Sequence, residues 1–147
     1  MILLTIISIF LSFSVFAQEF NEGNYYNYKV SSQLKEKLSS NDLISFDINN
    51  PSNHTKLLYF VIEDELSKDY WSKLNFQTTL FPGVNNVSFN LKRTVGERGS
   101  VKYDRKINYK KLKKMYVVIN PDKYTSIKYN ITNIKYSKTV KFTKPKN

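Results

Sequence analysis

Acid–base or hydrolytic chemistry needs a histidine, a thiol or a pair of carboxylates held in one place, and this chain offers few of these. Its one histidine is His54, within Pro51-Ser-Asn-His-Thr55, and it has no cysteine. Thiol catalysis and Cys-based zinc sites are thereby excluded. A Ser-His-Asp triad would have to recruit His54 from a turn tip, where nothing orients its ring. Acidic residues cluster once, as Glu63, Asp64, Glu65 and Asp69. On an extended segment Glu63 and Glu65 share a face, a spacing that a general acid and base could use. Calcium is the other chemistry such a cluster could serve. Calcium loops separate their oxygen ligands with Gly or Asn, however, and three of these acids are adjacent, so at most two could reach one ion. The expectation is a solvated turn, with no catalytic residue, no metal and no cofactor.

Binding chemistry is better represented. A sugar needs a flat aromatic face for the apolar side of its ring and nearby amide or charged groups for its hydroxyls. Tyr70-Trp71 is the strongest such platform, or else Trp71 seals the end of the core. Arg98, Tyr103 and Arg105 lie in a later loop from which two arginines could clamp a ligand. A second set, Lys110, Lys111, Lys113 and Lys114, could hold a polyanion or form a solvated face. These lysines follow Tyr103 and Tyr109, an aromatic–basic mixture that also suits single-stranded nucleic acid.

The elements that must position these residues read as strands. Leu74, Phe76, Thr78 and Leu80 alternate with polar partners, as do Val87, Phe89 and Leu91, with Pro82-Gly83 between them; the pattern predicts a β-hairpin. Ile44, Phe46 and Ile48 predict another half-buried strand closed by Asn50-Pro51. Lys56 to Glu63 is apolar on both faces, as a central strand would be. Tyr26 to Val30 predicts a first strand, and Ser31 to Leu38 a short capped helix. Leu66 to Trp71 predicts a helical turn or a loop, Thr94 to Ser100 an exposed loop, and Asp104 to Leu112 an irregular or helical crossover. Met115 to Asn120 is a strand. Ser126 to Tyr136 is a long strand whose apolar face switches from Ile127, Tyr129 and Ile131 to Ile134 and Tyr136, implying a bulge near Thr132-Asn133. Six or seven strands with short turns predict an all-β antiparallel sandwich.

The first seventeen residues are uncharged and mostly apolar and end in Val15-Phe16-Ala17. That is the pattern of an export signal, although the basic residue usual at its start is missing, so an uncleaved anchor is the alternative. Residues 18–137 then form one domain and 138–147 a basic end, with export to a periplasmic or extracellular space. Export makes a nucleic-acid partner unexpected. Charge divides unevenly: residues 18–91 hold six Lys or Arg against nine Asp or Glu, and residues 92–147 seventeen against three. Such a cationic half attracts anionic envelope polymers.

Phe46-Asp47-Ile48-x-Asn50-Pro51, an apolar strand, Trp71, Leu80-Phe-Pro-Gly83, Ile119 and then the strand ending in Asn133-Ile134 follow one another in an order that resembles a known family. These are the noncatalytic, carbohydrate-binding-like jelly-roll domains found beside catalytic barrels in bacterial agarases and related glycoside hydrolases. The resemblance spans roughly residues 42–136. It implies a galactose-binding-like sandwich that binds carbohydrate and is not an enzyme. Family members often carry an Asp just before the closing Asn-Ile pair; Thr132 stands there, so no polar role is carried over to it.

Overall fold

A computed structural model describes residues 25–95, 105–120 and 128–139, and the backbone alone of 18–19, 97–98 and 101–102. The proposed signal at 1–17, the Arg98 side chain, Tyr103, Ile127 and the basic end from 140 onward lie outside the described residues.

Two antiparallel sheets carry the fold. One has the order β1 (Gln18–Glu19), β10 (Asn130–Ser137), β3 (Leu43–Asn50), β6 (Gly83–Asn90); the other runs β2 (Tyr25–Asn27), β9 (Leu112–Ile119), β4 (Lys56–Asp64), β5 (Leu74–Leu80). A ribbon of β7 (Glu97–Arg98) and β8 (Val101–Lys102) stands apart from both. Alternation in the sequence decides which side of each strand is buried. Ile44, Phe46 and Ile48 of β3, Leu58, Phe60 and Ile62 of β4, and Met115, Val117 and Ile119 of β9 all point into one core between the sheets. Phe60 stacks on Phe89 of the opposite sheet at 4.9 Å, and Phe46 and Phe76 meet the same Phe89 ring at 5.9 Å and 5.0 Å. The aromatic cluster therefore fastens the two sheets together face to face. β4 is central in its sheet, paired with β5 on one side and β9 on the other. The sandwich expected from the sequence is the sandwich observed.

The predicted hairpin is not a hairpin. β5 pairs with β4 and β6 pairs with β3, so Pro82-Gly83 carries the chain from one sheet to the other. Both arms turn their apolar faces inward, and Phe76 meets Phe89 across the core instead of lying beside it on one surface. Alternation alone is the same for a hairpin and for such an arch, which is why the sequence pattern could not separate them. Asn85 braces the turn with its side chain: it accepts from Phe81 N at 2.9 Å and donates to Phe81 O at 2.8 Å and Gly83 O at 3.0 Å. Gly83 takes φ +92, which only glycine adopts freely.

Helix α1 (Ser32–Ser40) begins at Ser31, whose hydroxyl accepts from Leu34 N at 3.1 Å, and buries Leu34 and Leu38. The bulge at Thr132-Asn133 is present as a register shift against β3, with Asn133 at φ 53. Its effect differs from the expected change of face. The extra residue absorbs the switch in alternation, so Ile134 and Tyr136 pack against the same core as Ile131.

Candidate functional site

Glu63 and Asp64 end β4, and the expectation of a solvated acidic turn fails here because both are buried, Asp64 to 0% exposure. Asp64 instead organises the loop that follows. Its Oδ1 accepts from Leu66 N, Ser67 Oγ and Arg105 Nη2, and its Oδ2 from Arg105 Nη1 at 2.7 Å and Asn108 N at 2.9 Å. Burial raises this carboxyl's pKa, and the Arg105 guanidinium with the Asn108 and Leu66 N–H groups outweighs it, leaving the carboxyl below its ordinary range. Arg105 also donates to Ser72 O at 2.9 Å, and the Ser67 hydroxyl, 3.0 Å from the same carbonyl, shares its single proton between it and Asp64.

Asp69 and Ser72 close a capping box around the short helical turn Tyr70–Ser72: Asp69 Oδ1 accepts from Trp71 N and Ser72 N, and Ser72 Oγ accepts from Asp69 N. Tyr70 and Trp71 are thereby presented from a rigid loop, edge to face at 4.8 Å, with Tyr70 56% exposed and Trp71 half-buried. Asn75 Nδ2 holds the Tyr70 carbonyl at 2.9 Å.

Tyr70, Trp71, Lys73, Asn75 and Arg93 line a cavity of about 210 Å³. Drug-sized ligands fill roughly 300 Å³ or more, so this hollow suits one sugar-sized ring. Two larger hollows, of about 450 Å³ and 340 Å³, lie along α1 and are lined by residues such as Gln33, Lys35, Glu36, Lys37 and Lys110. Neither has an aromatic ring among its described lining residues, so the smaller cavity is the better candidate despite its size. Arg93 reaches it across the free edge of β5, with its guanidinium 4.1 Å from the Phe76 ring centroid and a hydrogen bond to Asn75 O.

The cavity opens onto the outer face of its sheet. Lys73 lies 3.5 Å from Glu63, which is in register with Lys114 on β9. One row over, Asn75 is in register with Val61 and Val61 with Tyr116. Tyr116 stacks on Tyr25 at 5.3 Å, and Tyr59 stands on the same face opposite Val118. Burial, together with the nearby Glu63 carboxylate, pushes the Tyr116 hydroxyl up to about 12. From β5 to β2 the face is about 14 Å across, at roughly 4.8 Å per strand. The other sheet's outer face differs in kind. Asp47 accepts there from Asn86 and Asn133, among Ser45, Asn49, Ser88 and Lys135, and no aromatic ring stands on it among the described residues.

Of the residues singled out from sequence, Tyr70 and Trp71 lie together in the cavity. Arg105 sits behind their loop, engaged by Asp64 and Ser72, and acts there as a positioning residue. The four lysines are exposed but point to different places: Lys110 lines a hollow against α1, and Lys114 lies beside Glu63 on the outer sheet face. His54 is exposed in its turn, its carbonyl bound by Asn50 and Ser52. Among the described residues no cluster of His, Cys, Asp and Glu could hold a metal, and no helix is long and apolar enough to cross a membrane.

Lys73, Asn75, Arg93, Tyr25, Tyr59 and Tyr116 were not foreseen. Lys73 and Asn75 alternate with Leu74 and Phe76, and Tyr116 with Met115 and Val117, so their outward direction was readable. Arg93 was not, because its place depends on β6 leaving the sheet of β5. No protein-family model matches this chain, and no curated protein matches it.

Proposed function

We propose that this protein is a noncatalytic carbohydrate-binding β-sandwich whose ligand enters the Tyr70–Trp71 cavity and extends over the tyrosine-bearing face of the adjoining sheet. The observation that carries the reading is the gathering of half-buried and exposed aromatic rings at one sheet and the loop beside it. Tyr70 and Trp71 pair at the cavity, and Tyr25 and Tyr116 pair on the outer face of the adjoining sheet, where Tyr59 also stands, whereas the opposite sheet's outer face presents mostly amides and hydroxyls among the described residues. Sugar rings stack on such flat faces, and Asn75 and Gln77 stand beside them as partners for hydroxyl groups. The resemblance to carbohydrate-binding jelly rolls points the same way, as does the expected export. The other reading, an interaction protein that binds an anionic envelope polymer through Lys110, Lys111, Lys113 and Lys114, gains less support because these side chains do not converge.

Retention on insoluble polysaccharides separates the two. Trp71→Ala or Tyr59→Ala should abolish retention while a quadruple Lys→Ser variant at the four lysines retains it. The reverse pattern, with steep loss of binding as salt rises, would replace the sugar reading with the polyanion one.

A further inference from the structure

The cavity's lining is cationic as well as aromatic, and we infer that the sugar unit it takes is acidic, bearing a carboxylate or a sulfate that Arg93 and Lys73 read while Trp71 or Tyr70 covers the ring. This rests on the carbohydrate reading above and narrows it. Lys73 and Arg93 line a hollow to which no acidic side chain contributes among the described residues. Two neighbouring acids are engaged: Asp69 caps the turn through Trp71 N and Ser72 N, and Glu63 lies 3.5 Å from Lys73.

Arg93 is the better placed of the two cations. Its guanidinium is fixed by the Phe76 ring and the Asn75 carbonyl, which hold its plane still. A guanidinium has five N–H donors in a planar fork, so donors remain for a bidentate contact with an oxyanion. The Arg93 side chain is exposed at the cavity, so an oxyanion can reach it from solvent. Lys73 contributes a mobile charge on the opposite wall. It lies 3.5 Å from Glu63, and an ammonium has three N–H donors, so donors remain for a ligand. A neutral sugar would take only hydrogen bonds from these cations; an acidic one adds charge pairing with both.

Affinity electrophoresis or calorimetry with polygalacturonate, dextran sulfate and neutral dextran tests this, using the unaltered protein, Arg93→Gln, Lys73→Gln and Trp71→Ala. Binding to at least one acidic polymer is expected, weakened about tenfold by Arg93→Gln, and weakened also by Trp71→Ala. Polygalacturonate and dextran sulfate tell carboxylate from sulfate, and preference for either supports the inference. If dextran binds as tightly as both acidic polymers and Arg93→Gln is silent, the acidic sugar is refuted while carbohydrate binding stands. If no saccharide binds, both fall. If inorganic polyphosphate competes fully and Trp71→Ala changes nothing, the surface reads charge alone and the inference is overturned. Lys73→Gln leaves the Arg93–Phe76 contact intact, and near-UV circular dichroism on each variant distinguishes lost binding from lost fold.

Discussion

Replacing Arg105 by alanine should destabilise the protein by about 3 kcal/mol, although the residue lies in a loop and is partly exposed. Its partner Asp64 is fully buried and takes two of its hydrogen bonds from Arg105, at 2.7 Å and 3.0 Å. Removing one member of a buried pair costs about 3–5 kcal/mol, because the remaining charge is left without compensation. The low end applies here, since Leu66 N, Ser67 Oγ and Asn108 N still hold Asp64 and Arg105 is 24% exposed. With a urea slope of about 2 kcal/mol per molar, the midpoint should fall by roughly 1.5 M. The melting temperature should fall by about 10 °C for a chain of this size. The loss should also depend on pH. The Asp64 carboxyl is depressed in the fold, so the stabilisation it supplies is present above the unfolded value of about 3.9 and disappears as pH falls through the lower folded value. Unaltered protein and Arg105→Ala should therefore converge in stability at low pH. A double-mutant cycle with Asp64→Asn should show strong coupling. A loss under 1 kcal/mol at neutral pH, or one independent of pH down to acid unfolding, would refute the role assigned to this pair.

Phe89 joins the two sheets through Phe60, Phe76 and Phe46, so Phe89→Ala should cost about 3–5 kcal/mol, a large share of the roughly 5–15 kcal/mol that holds a domain folded, and a urea titration should show the midpoint falling accordingly. The hydroxyl of Tyr28 is buried without a hydrogen-bond partner among the described residues. Tyr28→Phe should therefore raise stability by about 1 kcal/mol, and a fall in urea midpoint would reveal a partner for that oxygen. A Cβ at Gly83 would meet no atom, yet φ there is +92; Gly83→Ala should cost about 1–2 kcal/mol from backbone conformation alone, measured against the neutral Val84→Ala.

Strand alternation made most of the sandwich legible, down to the bulge at Thr132-Asn133 and the Ser31 cap. It failed where two arrangements share one pattern. A hairpin and an arch both place Phe76 and Phe89 on apolar faces, and only pairing with β4 and β3 distinguishes them. It failed again at Glu63-Asp64, because the guanidinium that makes burial of Asp64 tolerable comes from Arg105, 41 residues along the chain. For the site, Tyr70-Trp71 was readable as a loop aromatic pair flanked by turn formers. The rest of the lining was hidden for the same reason as the arch: Arg93 meets Lys73 and Asn75 only once β6 has crossed to the other sheet.

Trp71 is the only tryptophan in the chain, so intrinsic tryptophan emission reports on the cavity and nowhere else. Titration with soluble oligosaccharides that the protein retains should produce a saturable change in that emission, with the same midpoint as binding measured by calorimetry. Binding detected by calorimetry while the emission of Trp71 stays constant would place the ligand elsewhere and contradict the assignment of this surface.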